Sequence, residues 1–158
     1  LKMMLLNYLE ILLIHTNIMA TFDDAYKRVI KSEGSYVCDS DDSGGETYKG
    51  ISRRYNPKWE GWDIIDKYKR SYRGKPLSKV LDADDRLEDM VKELYKSNYW
   101  DVFELDDIPS QTIAYQMFDT CVNCGPAAAI RFAQASLCER VDGRWTLNLL
   151  HKLAAIKS

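Results

Sequence analysis

Histidine is scarce in this chain of 158 residues: there are two, His15 and His151, one near each end. Without a central imidazole, neither a His-paired Cys nucleophile nor a His-based metal cluster is suggested. The four cysteines, Cys38, Cys121, Cys124 and Cys138, contain a single C-x2-C spacing, whereas a zinc site ordinarily needs a second paired element. They are expected to be buried, reduced thiols, which suits a protein folded in a cytoplasm. Neither a metal nor a cofactor is expected. Basic runs are missing too: no Lys/Arg run exceeds two residues and the net charge is −2, which argues against nucleic-acid binding.

Also lacking is an apolar run long enough to span a bilayer. The nearest approach, LKMMLLNYLEILLIHTNIMA from Leu1 to Ala20, is interrupted by Asn7 and Glu10. It carries only Lys2 at its start and no small-x-small cleavage site before Met19, so it reads poorly as a signal peptide. Residues 1–18 are therefore expected to be an N-terminal extension foreign to the domain, with Met19 the natural start. A degenerate signal or an interfacial helix is the alternative.

At 158 residues and 46% apolar, the chain has the length and composition of one ordinary domain with a core. Its organising stretch is Phe22 to Ser52. Phe22, Ala25, Tyr26, Val29 and Ile30 lie at the i, i+3, i+4, i+7, i+8 spacing of one helical face, behind a Thr21-x-x-Asp24 cap. The next position of that stripe is Glu33, followed by Gly34, a helix-ending residue. A carboxylate at the last turn, on the buried side, is costly unless something uses it. Burial and the negative end of the helix are both expected to raise its pKa, as a general acid near neutral pH requires. The alternative is a glutamate that swings out to solvent from a frayed helix end.

Beyond Gly34, two β-prone runs flank Asp39-Ser40-Asp41-Asp42-Ser43-Gly44-Gly45 and read as a hairpin. Asp39-x-Asp41-x-Ser43-Gly44 copies the first half of an EF-hand, but the twelfth position is Gly50 and the eighth is Glu46, so a calcium loop is not expected. The order Glu33, Asp42, Thr47 resembles the Glu-Asp-Thr signature of phage-type lysozymes. The whole run EGSYVCDSDDSGGETYKGIS, Glu33 to Ser52, resembles the signature of glycoside hydrolase family 108, the N-acetylmuramidases. Ser35 stands where that family usually has a second Gly, and Ser40 and Ser43 where Pro is common.

The resemblance extends toward the C-terminus. Tyr99-Trp100-Asp101 follows a helix expected from about Asp84 to Asn98, with Leu87, Met90, Val91, Leu94, Tyr95 and Asn98 on one face. A further helix is expected from near Pro109, burying Ile113, Ala114, Met117, Phe118, Cys121 and Val122, and ending in a family-like Phe118-Asp119…Val122-Asn123…Gly125. Pro126 then opens a helix through Leu137 that contains Gln134, and a last short helix spans Leu147 to Ile156. Ser52 is expected to cap a short helix through Tyr55, and Gly74-Lys75-Pro76 to form a turn. The aromatics from Lys58 to Lys75, Trp59 and Trp62 among them, either stack on sugars or fill the core.

The resemblance implies a mainly α (α+β), lysozyme-like fold: a catalytic helix, a small β-hairpin and a helical lobe. It implies a catalytic domain over 19–140 and a truncated start of a peptidoglycan-binding element over 141–158. It further implies hydrolysis of the β-1,4 bond between N-acetylmuramic acid and N-acetylglucosamine, with Glu33 as general acid. Asp42 and Thr47 are candidates to hold the attacking water, with Asp39 and Asp41 competing for the aspartate's role. Tyr36, Tyr48, Trp100, Asp119, Asn123 and Gln134 are candidate substrate-binding residues, although Asn123 before Cys124-Gly125 also suits a helix end. A lytic transglycosylase and a non-catalytic wall-binding or secretion-assisting protein are the competing functions. The expected partner is the glycan strand of peptidoglycan, reached by a monomer made in the cytoplasm and released to the wall, as from a phage or prophage.

Overall fold

A computed structural model describes residues 19–38, 45–73 and 76–156. Residues 1–18, the Asp39–Gly44 hairpin loop with its EF-hand-like half, and the expected turn at Gly74-Lys75 lie outside the described residues. In chain order the elements are α1 (Phe22–Val29), β1 (Tyr36–Cys38), β2 (Glu46–Tyr48), β3 (Ile51–Ser52), α2 (Gly61–Ser71), α3 (Leu77–Leu81) and α4 (Asp85–Tyr99). Two 3-10 turns, Asp101–Phe103 and Leu105–Asp107, lead to α5 (Gln111–Cys124), α6 (Pro126–Ser136) and α7 (Leu147–Ala154). The chain forms two compact units, one from Tyr26 to Lys96 and one from its flanks, through Ala25 and from Ser97 onward.

Helix α1 has Asp23 and Asp24 in its first turn and Lys27 and Arg28 in its last, the charge order that its dipole favours. It ends at Val29, a turn earlier than the stripe to Glu33 implies. The cause is Ser32, whose hydroxyl and amide both donate to the Val29 carbonyl, at 2.7 and 3.0 Å. Glu33 N–H then reaches only to Ile30 O, at 3.3 Å, so Glu33 sits in a tighter i→i+3 turn after the helix, ahead of Gly34 at φ 71°.

In the Tyr26–Lys96 unit the strands form an antiparallel sheet in the order β1-β2-β3, one strand more than the expected hairpin. Tyr36 pairs with Tyr48, Val37 with Thr47, Cys38 with Glu46, and Tyr48 with Ile51. Ser52 lies in β3 rather than capping a helix. Its carbonyl accepts from Tyr55 and Asn56 N–H at 3.2 and 2.9 Å, closing a single turn. Between β2 and β3, Lys49 at φ 43° and Gly50 at φ 76° make a two-residue turn of the mirror-image class that matches strand twist.

Behind the sheet, Tyr48, Ile51, Trp62, Ile65, Leu81, Leu87, Val91 and Tyr95 are buried. Helix α4 supplies Leu87, Val91 and Tyr95 at i, i+4, i+8, while Met90 and Leu94 are half-buried and Asn98 is exposed. Asp84 begins α4: its carboxylate accepts from Arg86 N–H at 3.1 Å, from the Arg86 guanidinium at 2.9 and 2.5 Å and from Tyr68 Oη at 3.0 Å. Trp62 is in the core, and Trp59 lies over Gly61, stacked on Tyr48 at 6.3 Å, so packing accounts for both rings.

In the other unit, Phe22, Trp100 and Phe118 meet edge to face, with centroids 5.7 to 5.8 Å apart. Helix α5 starts at Gln111 rather than at Pro109, because the Ser110 side chain caps it by accepting from Ile113 N–H at 3.4 Å. Pro126 opens α6 as expected, and Thr146 caps α7 through Leu149 N–H at 3.2 Å. The cysteines correct the sequence reading. Cys121 alone is buried, and Cys38, Cys124 and Cys138 are exposed free thiols. Burial pushes the Cys121 thiol up to about 12. No described helix is long and apolar enough to cross a membrane.

Candidate active site

Glu33 is half-buried in the turn between α1 and β1. What it faces is set by Gly50. A Cβ added there would stand closer than 3.0 Å to both Glu33 Oε2 and the Tyr95 hydroxyl, and 3.2 Å from Glu33 Cδ. The carboxyl and the phenol thus border one small space that only a glycine leaves open. Tyr95, on the buried stripe of α4, donates its hydroxyl proton to Lys49 O at 2.9 Å.

Lys49 is anchored in turn. Its Nζ meets Glu88 Oε2 at 2.5 Å, and Tyr26 Oη donates to Glu88 Oε1 at 3.0 Å. Burial pushes the Glu88 carboxyl up, but the hydrogen bonds from Lys49 and Tyr26 outweigh it and hold it below its ordinary value. Burial and the Glu88 carboxylate push the Tyr26 phenol up, so it stays a donor.

The sheet carries a second polar cluster. Glu46 accepts from Tyr36 Oη at 2.8 Å, Arg53 at 2.7 Å and Lys69 at 2.9 Å, while Arg53 also forks onto Asp66 at 2.8 and 2.7 Å. Burial raises the Glu46 carboxyl, yet its three donors leave it below the usual range. A carboxylate so fully engaged pins β2 to α2; it is not a group waiting for a proton.

The remaining sequence candidates separate cleanly. Thr47 is half-buried in β2, between Val37 and Ser52 and on the face of the strand opposite Glu46 and Tyr48. Asp42, Asp39 and Asp41 lie outside the described residues. Tyr36 commits its hydroxyl to Glu46. Tyr48 is corrected from sugar platform to core: it is 0% exposed and donates to Leu81 O at 3.0 Å. Trp100 is likewise 0% exposed, its indole N–H given to Asp106 at 3.0 Å, so its ring has no face to offer a sugar.

Gln134 is also corrected. It is buried, donates to Asp142 Oδ1 at 2.8 Å and Arg144 O at 3.2 Å, and accepts from Asp142 and Gly143 N–H at 3.1 and 2.9 Å. It holds a loop. Asp119 and Asn123 do come together on α5, with Asn123 Nδ2 donating to Asp119 O at 2.9 Å and to Asp119 Oδ1 at 3.3 Å.

Gly50, Tyr95, Glu46 and Arg53 were not singled out from the sequence. A signal existed for two of them. Gly50 belongs to the Gly-Ile pair of the signature, and a tyrosine at a core position of a helix must find a partner for its hydroxyl. Among the described residues, no three His, Cys, Asp or Glu side chains gather as a metal site would require.

A comparison with curated proteins returned no match. A solved structure of SagA from Brucella abortus is similar to this chain at 24% identity and a TM-score of 0.59, over 86% of this chain and 70% of that one. At that identity the likeness speaks for the fold, which is α+β and lysozyme-like. The family model Glycosyl hydrolase 108 matches residues 26–125, a stretch that holds Glu33, the sheet, Gly50 and Tyr95. On that match, which covers more than half its length, the chain belongs to the Glycosyl hydrolase 108 family of glycoside hydrolases.

Proposed function

We propose that this protein is an N-acetylmuramidase, cleaving the β-1,4 bond between N-acetylmuramic acid and N-acetylglucosamine in peptidoglycan. Glu33 protonates the glycosidic oxygen as the leaving sugar departs from an oxocarbenium-like centre. The observation that carries this reading is the seat of Glu33, a carboxyl half-buried against Gly50 and the Tyr95 hydroxyl inside the family-matched stretch. Asp42 and Thr47 are assigned the attacking water, which gives inversion at the anomeric carbon. The substrate places the protein's action at the bacterial wall.

The test is release of new ends from purified peptidoglycan by the parent and by Glu33→Gln. Reducing muramic acid ends from the parent, with turnover lost by at least about a hundredfold in the variant, are expected. Anhydro-muramic ends would instead make the protein a lytic transglycosylase. Wall binding without cleavage by either protein would make it a binding module.

A further inference from the structure

Three groups converge at position 50, and their proton count is informative. A phenol has one proton and two acceptor lone pairs. The Tyr95 proton is given to Lys49 O at 2.9 Å, so what its oxygen offers toward the Gly50 space is acceptor capacity. An ionised Glu33 carboxylate is itself acceptor-only, whereas the neutral acid carries a proton to donate.

We propose that Tyr95 is the positioning residue for Glu33: across Gly50 it accepts the proton of the neutral carboxyl, orienting the acid and favouring its protonated form. This deepens, and rests on, the assignment of Glu33 as general acid. The arrangement is held from both sides. Lys49, whose carbonyl takes the Tyr95 proton, is tied through Glu88 to Tyr26, and the Tyr26 ring meets the Tyr95 ring edge to face at 5.9 Å.

Beside the seat stand Lys49, Glu88, Tyr26 and Asp82, with Lys92 of α4 over the Tyr26 ring at 5.8 Å. Lys49 and Glu88 form an ion pair, Tyr26 donates to Glu88, and Asp82 accepts from Ser35 Oγ at 2.6 Å. The Tyr95 acceptor thus favours the neutral acid by hydrogen-bond direction, beside a Lys49 that is ion-paired to Glu88.

The experiment measures kcat and kcat/KM against pH on soluble glycan strands, using the full chain, Tyr95→Phe and Glu33→Gln. Tyr95→Phe keeps the ring and removes the acceptor. Its kcat is expected to fall about tenfold with KM within about twofold. The basic limb of its kcat/KM profile moves to lower pH by about one unit, because the protonated acid has lost its acceptor. Site-specific 3-fluorotyrosine at position 95, a poorer acceptor of nearly the same shape, shifts the limb in the same direction and serves if the phenylalanine variant does not fold.

An unmoved basic limb in the Tyr95 variants, alongside an inactive Glu33→Gln, overturns this inference alone. Undiminished turnover by Glu33→Gln overturns the general-acid reading, and the inference with it.

Discussion

Gly50 is under two constraints that no other residue satisfies together. At φ 76° its backbone is in the left-handed region, and its missing side chain leaves room for the Glu33 carboxyl and the Tyr95 hydroxyl. The conformation alone costs an alanine about 1 kcal/mol. The contact costs more, because the methyl must move either a carboxyl tied to the end of α1 or a phenol tied to Lys49. Gly50→Ala is therefore expected to destabilise the fold by about 2–3 kcal/mol in urea titration. Turnover should fall by at least about tenfold even at temperatures where the variant is folded, because the acid is displaced from its seat. An alanine variant with parental turnover would show that the close approach at position 50 has no bearing on Glu33.

Among the larger elements, the C-terminal part is organised by a side chain. Gln134 on α6 uses both its amide nitrogen and its oxygen on Asp142, Gly143 and Arg144, the segment leading to α7. Gln134→Ala removes the partners its amide gives to Gly143 N–H and Arg144 O, while Asp142 N–H keeps Arg140 O at 3.1 Å. It is expected to lower stability by about 2–3 kcal/mol in thermal unfolding while KM for glycan strands is unchanged. A raised KM at unchanged stability would restore Gln134 to the binding surface.

This element also shows what the sequence could and could not disclose. A glutamine within a family-like segment reads equally well as a sugar contact or a loop clamp, because both uses need the same amide. Helices α4 and α5 were legible because Leu87, Val91 and Tyr95, or Ala114, Met117, Phe118 and Cys121, repeat at helical spacing. Strand β3 was not: it has two residues, Ile51 and Ser52, too few for any period, and serine suits a helix cap as readily as a strand end. The end of α1 was missed because the competing partner for Val29 O is the side chain of Ser32, invisible to a pattern of apolar positions. Of the candidate site, Glu33 and the hairpin around it were marked by the signature. The seat made by Gly50 and Tyr95 depends on α4 reaching the β2–β3 turn, a contact between residues far apart in sequence.

On the scale of the whole molecule, acid takes stability away from the fold. Glu46, Asp66, Asp84 and Glu88, all in the Tyr26–Lys96 unit, are held below their ordinary values, as is Asp142 in the other unit. For Asp84 the Arg86 hydrogen bonds take the carboxyl from 3.8 to about 2. A group whose folded value is depressed stabilises the fold above its unfolded value and loses that contribution as pH falls through the folded one. Stability should thus be level above about pH 5 and decline between about pH 4 and pH 2. The Asp84 share is on the order of 1 kcal/mol, since Arg86 is solvent-exposed and screened. Asp84→Asn should reduce stability at pH 7 and flatten that decline. Urea unfolding at stepped pH checks it, and a decline of parental steepness in the variant would remove Asp84 from the account.

The turn at Lys49 and Gly50 has a consequence for how the chain tolerates change in length. Two-residue hairpin turns on a protein's surface are usual places for an inserted loop, an epitope or new termini, because the strands they join stay paired. Here the turn's first residue supplies the carbonyl that holds Tyr95, and its second supplies the bare backbone over which Glu33 lies. Lengthening the turn by even one residue would rotate both out of place, while the exposed turn at Tyr55, 76% accessible, carries no such duty in its side chain. The shortest connection in the sheet is therefore the one least free to grow.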